Sequence, residues 1–147
     1  PRIIDPRNAF IMYDLLKEVI TNGTARKAKT LKRPDIAGKT GTTNDLMDAW
    51  FAGFNSDIVT VTWMGYDQPK SLGNKETGSR AALPIWIDYM RPLLKDYPIK
   101  NLVKPEGIIP FKVNKKTGMT KNADEDGFFE YFYEEYPPYD NSYFVIN

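Results

Sequence analysis

Three short strand-like segments, residues 36–43, 48–54 and 58–66, follow one another with only a few turn-forming residues between them. This arrangement limits what the chain can fold into more than any other feature. Asn44-Asp45 and Asn55-Ser56-Asp57 are turn formers at the junctions. Connections this short join antiparallel neighbours, because a parallel crossover needs a dozen residues or more. The expected unit is an antiparallel three-stranded meander. In the second segment Trp50, Ala52 and Phe54 point one way and Phe51 and Gly53 the other. The third places Val59, Val61 and Trp63 opposite Thr60, Thr62 and Met64. Both faces therefore read as buried. Leaving side chains such as Trp50, Phe51 and Trp63 exposed would cost roughly 1.5–3 kcal/mol each. Two helices can cover one face but hardly both, so further strands or helices are expected from sequence absent here.

Helical spacing appears on either side of the meander. Residues 8–22 place Met12, Leu15, Leu16, Val19 and Ile20 on one stripe, extended by Phe10 and Ile11. Asp5 or Asn8 fits the start and Gly23 the stop. Residues 24–34 are basic and contain Pro34, which reads as a solvated loop. Residues 67–78 form a polar loop. A helix is expected from about Ser79, with Ala82, Ile85, Trp86, Tyr89, Met90 and Leu93 as its apolar stripe. Pro84 suits a first turn, and Pro92 should kink or end the helix near its base. From Pro98 the chain becomes proline-punctuated and holds half of all the aromatic residues. Within it, 111–113 and 116–118 read as a small hairpin and 125–136 as a short helix. The expected organisation is one domain part over 1–97 and an aromatic, Pro-rich extension over 98–147.

Composition removes whole classes of chemistry. The 147 residues contain neither Cys nor His. That excludes disulfides, thiolate metal sites, the histidine of a serine-hydrolase triad and the common zinc sites. Acid–base work would fall to Lys, Tyr, Asp or Glu. Net charge is +1 and no Lys/Arg run suggests a nucleic-acid groove. No segment approaches 18 consecutive apolar residues and no signal peptide is present. The chain opens at Pro1 without an initiator Met, so a processed or cut product is expected, and missing targeting signals say little about the parent.

The candidate site is the run Gly38-Lys39-Thr40-Gly41-Thr42-Thr43. A Lys-Thr-Gly triplet on a strand offers a cation, hydroxyl donors and an open backbone edge, which together suit a peptide ending in a carboxylate. An ammonium about 4 Å from a carboxylate gains roughly 4 kcal/mol at an effective dielectric of about 20, before desolvation. Thr40 and Thr42 alternate with Gly41, so their hydroxyls share a side. Gly41 leaves room for another backbone. An edge strand can also pair with an extended peptide, and one of its N–H groups can face a carbonyl oxygen as an oxyanion-hole donor. Read alone, the triplet is better explained as a polar edge strand with a solvated lysine. No Ser-x-x-Lys occurs anywhere in the chain, so the nucleophile is expected elsewhere. Other patterns carry less. Gly38-Lys39-Thr40 imitates a phosphate-binding loop, but Arg33 stands where its first glycine belongs, and a strand follows instead of a helix. Thr24 and Lys27 have the spacing of a nucleophile and its base but lie in the basic loop. Asp45 and Asp48 read as turn and strand-start residues. The acidic cluster Asp124, Glu125, Asp126, Glu130, Glu134 and Glu135 reads as a solvated face, and the tail aromatics read as packing residues.

The longer run 38–45, followed by Asp48-Ala49-Trp50-Phe51-Ala52-Gly53-Phe54, resembles the transpeptidase domain of class A penicillin-binding proteins. Gly23-Thr24-Ala25, Trp63-Met64-Gly65-Tyr66-Asp67, and Thr77-Gly78 through Ala82, Pro84 and Trp86 agree. The resemblance is good over residues 1–97 and weak through Pro105-Glu106-Gly107-Ile108 and Lys116-Thr117-Gly118. It implies an α+β fold, an antiparallel sheet flanked by helices, present here only in part. It implies a peptidoglycan D,D-transpeptidase segment of a bifunctional synthase with a glycosyltransferase domain, acting through a serine acyl-enzyme that β-lactams also form. Lys39 would position the substrate carboxylate and support the proton relay. Thr40 and Thr42 would bind that carboxylate, and the backbone at Thr42 would line the oxyanion hole. The Ser-x-x-Lys and Ser-x-Asn motifs precede Lys-Thr-Gly in the family and are missing here. No cofactor or metal is implied for the step. The implied partners are the rest of the parent protein, stem peptides, β-lactams and a possible second copy, with no nucleic acid. The implied location is the periplasmic face of the bacterial inner membrane. A D,D-carboxypeptidase or β-lactamase-like hydrolase, or a non-enzymatic β-lactam sensor, would use the same strand.

Overall fold

A computed structural model describes residues 3–118 and 127–138. The chain groups into two units, one formed by residues up to Ile11 with Val103 onward, the other by Met12–Leu102. Helix α1, Pro6–Thr21, runs through the division. It starts where Asp5 Oδ1 accepts the Arg7 N–H at 2.8 Å, a cap by Asp5 and not by Asn8. It stops two residues before Gly23, whose N–H still bonds to Glu18 O at 3.0 Å.

In the 12–102 unit, strands β1 (Ala37–Thr42), β2 (Ala49–Phe54) and β3 (Val59–Met64) form an antiparallel sheet in the order β1-β2-β3. Thr40 stands opposite Phe51, and Trp50 opposite Trp63. A π-helical turn, Gly78–Ala82, leads into helix α2, Leu83–Leu93. Pro84 lies in the first turn of α2 and Pro92 in its last. The buried residues of α2 are Leu83, Trp86, Ile87 and Met90. Ile85 and Tyr89, expected on the stripe, face outward instead. A turn of 3.6 residues carries 83, 86, 87 and 90 onto one face and swings 85 and 89 away from it. On α1, Phe10 and Ile20 are buried while Met12 and Leu15 are exposed.

The core lies between one sheet face and α2. The Phe51 ring meets the Trp86 indole edge-on at 5.0 Å. Trp86 Nε1 donates to Thr60 O at 3.2 Å, and Thr62 Oγ1 donates to Ala82 O at 3.0 Å. Thus the threonines of β3 satisfy polar groups of the covering helix and do not merely face solvent. The described residues cover one face of the sheet, as expected of its helices, and leave bare the face whose cover was expected from sequence absent here. Trp50, Ala52, Val61 and Trp63 are exposed, as is Val59 at 75%. The alternation is as read, and the 78–82 turn and α2 pack on the Phe51 side. Residues 24–34 also differ from the expected loop. Arg26–Leu31 is a 3-10 helix with Ala28 in the core, and Lys32 closes it in the left-handed region at φ 54°.

A clamp holds the entrance of β1. Arg33 grips the fully buried Asp35 bidentately, Nε to Oδ1 at 2.7 Å and Nη2 to Oδ2 at 2.6 Å. Its Nη1 also donates to the carbonyls of Leu94 at 2.8 Å and Tyr97 at 2.7 Å. The Lys100 N–H reaches Asp35 Oδ2 at 3.3 Å. Burial pushes the Asp35 carboxyl up, but the Arg33 hydrogen bonds, the Lys100 amide and the Arg33 charge outweigh it and leave Asp35 below its ordinary value.

In the other unit, β4 (Ile108–Asn114) pairs antiparallel with β5 (Gly127–Tyr133). This overturns two expectations. Residues 116–118 turn away and do not form the second arm of a hairpin with 111–113, and 127–133 is a strand and not a helix; 125–126 lie outside the described residues. The run Phe128, Phe129, Tyr131, Phe132 and Tyr133 is rich in strand-favouring aromatics, and β4 supplies the partner ladder. Phe10 meets Tyr131 edge-on at 5.0 Å, and Arg7 lies 4.9 Å from the Tyr133 ring centroid. Arg7 also pairs with Glu135, so that member of the acidic cluster has a partner.

Removing one member of a buried ion pair costs about 3–5 kcal/mol, because the other is stranded. Arg33→Ala in the intact protein should therefore abolish amide-exchange protection over residues 94–100; unchanged protection would contradict the clamp. Acid should act on the same segment. Asp35 has a lowered folded pKa, so its contribution is complete above about pH 3.9 and drains away as pH falls through the lower folded value. Exchange corrected for intrinsic rates, compared at about pH 5 and pH 3 on either side of the carboxylate range, should show this loosening in the parent and not in Arg33→Ala.

Candidate functional site

Strand β1 lies at a margin of its sheet, with β2 its only strand neighbour among the described residues. Its first residues, Ala37 and Gly38, are buried; from Lys39 to Thr42 it is half-buried to exposed. The Lys39–Thr42 end of the strand therefore meets solvent along an open rim.

Strand alternation divides the four residues. Lys39 and Gly41 share the face of Ala52, Trp50 and Trp63; Thr40 and Thr42 share the face of Phe51 and Ala49. The two hydroxyls are thus on one side, as read, and the ammonium on the other, with the rim between them. Lys39 Nζ donates to Thr40 O at 2.9 Å. Thr40 Oγ1 lies 2.8 Å from Thr24 Oγ1. Thr42 Oγ1 accepts the Gly78 N–H at 3.0 Å. Gly41 is hemmed in by its cross-strand partner: an added Cβ would lie 3.2 Å from Trp50 Cβ.

The turn after β1 is a small network. Asp45 and Leu46 adopt left-handed φ values of 59° and 57°. Thr43 N–H donates to Asp48 O at 3.1 Å, and Asp48 N–H donates to Thr43 Oγ1 at 2.7 Å. Asp48 Oδ1 accepts the Trp63 indole N–H at 2.8 Å. The Trp50 and Trp63 rings sit 6.0 Å apart beside it. Leu72 N–H reaches Leu46 O at 2.8 Å, tying the 67–77 loop to the turn. Asp45 and Asp48 are thus turn residues, not a paired-carboxylate site.

Sequence reading passed over Thr24 as a residue of a solvated turn, yet its hydroxyl reaches the candidate strand. It also gave Gly78 no role of its own, although a glycine can mark a close backbone approach. Lys27, three residues on from Thr24, is exposed on the 3-10 helix. A cavity of about 270 Å³ lined by Lys17, Lys29, Lys32, Arg33, Ile20 and Ile36 does not include any of the four candidate residues. Among the described residues no group of three or more acidic side chains is placed to hold a metal ion. No helix among them is long and apolar enough to cross a membrane.

No protein-family profile matches the chain. Its sequence is 50% identical over 138 residues to penicillin-binding protein 1A of Pseudomonas aeruginosa, covering 93% of this chain and 17% of that protein. It is 54% identical over 109 residues to penicillin-binding protein 1A of Neisseria lactamica, covering 74% of this chain and 14% of that protein. The crystal structure of penicillin-binding protein 1A from Haemophilus influenzae superposes with a TM-score of 0.86 at 35% identity, covering 97% of this chain and 22% of that one. The mixed helix and antiparallel-sheet architecture described above is thus that of the penicillin-binding fold. The chain spans less than a quarter of the length of each of these relatives, and over that span it belongs to the penicillin-binding protein 1A family.

Proposed function

We propose that this segment forms the carboxylate-holding side of a peptidoglycan D,D-transpeptidase site in a bifunctional cell-wall synthase, with the nucleophilic serine supplied by sequence outside it. The observation that carries the reading is the open rim of β1, where Lys39, Thr40 and Thr42 flank an edge able to pair with an extended peptide. The relatives are named for penicillin binding, which agrees with it. Residues 1–97 would supply the C-terminal part of the transpeptidase domain and 98–147 an extension.

In this reading the serine oxygen attacks the carbonyl of a D-Ala-D-Ala stem and D-alanine leaves. The amine of a neighbouring stem then attacks the acyl-enzyme and frees the serine. Lys39 supplies positive charge beside the substrate carboxylate. The Thr42 hydroxyl donates to that carboxylate, and Thr40 joins it through the hydroxyl pair with Thr24. A backbone N–H at Thr42 faces the carbonyl oxygen, where negative charge develops. Acid–base steps involve no histidine of this segment, and none of them calls for a cofactor. β-Lactams enter as acyl donors with a carboxylate of their own. The site works on the periplasmic face of the inner membrane, and the uncovered sheet face of Val59, Val61 and Trp63 is covered by the rest of the parent.

Hydrogen bonds to charged groups contribute about 1.5–3 kcal/mol each. Lys39→Ala in the full-length protein should therefore slow acylation by a fluorescent penicillin roughly 10- to 100-fold, with the melting temperature unchanged. Acylation at the parent rate would count against the assignment. The isolated 147-residue chain should aggregate, or at least take no penicillin label. A stable, labelled monomer of that length would refute the claim that the nucleophile lies elsewhere.

A further inference from the structure

Gly78 is buried where the π-helical turn crosses the β1–β2 ladder. A Cβ built on it would lie 2.4 Å from both Gly41 O and Trp50 O and 3.1 Å from Gly41 N. These are backbone atoms in a paired ladder and cannot step aside, so only a hydrogen fits. The same closeness brings the Gly78 N–H to Thr42 Oγ1 at 3.0 Å. The turn is fixed from behind. Thr77 O accepts the N–H groups of Arg80 and Ala81 at 2.9 and 2.8 Å, and Ala81 and Ala82 are in the core.

A threonine hydroxyl has one proton to donate and two lone pairs. A backbone N–H can only donate. It occupies a lone pair of Thr42, restrains the rotor and leaves the hydroxyl proton for another acceptor. The Thr40 hydroxyl has no such constraint, because its partner, the Thr24 hydroxyl, can donate or accept. We propose that Gly78 is a positioning residue that commits the Thr42 hydroxyl to donate toward the carboxylate of the acyl donor, and so sets preference for substrates with a free carboxyl end. The inference rests on the reading of Lys39–Thr42 as the carboxylate site.

The test uses a full-length penicillin-binding protein 1A carrying this segment. Acylation rates are measured with a D-alanyl thioester that ends in a free carboxylate and with its methyl ester, and their ratio reports carboxylate recognition. Thr42→Val should lower that ratio about tenfold. Gly78→Ala pushes the turn off the Gly41 and Trp50 backbone, so both rates should fall, but the carboxylate substrate more than the ester, lowering the ratio by a similar factor, and the ratio in the double variant should fall no further than in Thr42→Val alone. Thr42→Ser keeps a hydroxyl that the same N–H can hold, so it should retain the ratio. Equal slowing of both substrates in Gly78→Ala, or a Thr42→Ser ratio as low as that of Thr42→Val, overturns the role of Gly78. Should Gly78→Ala fail to fold, the Ser and Val comparison decides. A ratio untouched by Thr42→Val removes the carboxylate reading and this inference with it; a ratio lowered by Thr42→Val but not by Gly78→Ala removes the inference alone.

Discussion

Burial of one sheet face against the 78–82 turn and α2 is the constraint on which the rest of the 12–102 unit depends. Phe51 on the central strand meets Trp86, and the Trp86 indole N–H is satisfied by Thr60 O on the neighbouring strand. The central strand is thereby fixed, and through its ladder it fixes β1. The marginal strand is packed at Ala37 and Gly38, and from Lys39 onward its side chains are half-buried to exposed. This is how an exposed rim can be held in one geometry: its rigidity is borrowed from a buried neighbour.

Two polar devices hold the ends of β1. At its entrance Arg33 and Asp35 tie the strand to the chain that follows α2. A buried pair of this kind adds little net stability over an apolar replacement, but loss of one partner is costly. Its contribution is position. At the exit, Thr43, Asp48 and Trp63 close a tight turn whose two left-handed residues would otherwise be unfavourable. Lys39 to Thr42 lie between these anchors, the part of the strand that the fold leaves uncovered.

The three strands were legible because alternation and turn residues act locally. Lys39, Thr40, Gly41 and Thr42 stand where the sequence puts them, including the shared side of the two hydroxyls. Which face the helices take was not legible. Both faces read as apolar, and only tertiary packing shows that α2 lies on the Phe51 side. Ile85 and Tyr89 were misplaced for a related reason: an apolar residue next to the true stripe looks like part of it until a partner chooses the face. The strand Gly127–Tyr133 was hidden by Glu130 and by Glu134 and Glu135 just after it, which favour a helix in isolation, whereas its pairing with residues 108–114 is non-local. The Gly78–Thr42 bond joins positions 36 residues apart and had no local signature.

The central claim is that the rim of β1 receives the anionic end of an acyl donor. A crystal structure of the full-length protein acylated by benzylpenicillin tests it most directly. The account predicts the bound carboxylate within about 3 Å of the Thr42 hydroxyl, on the Lys39 side of the ligand, with the ligand amide paired to the β1 edge. A carboxylate held by other residues, with the β1 rim facing only solvent, would contradict it.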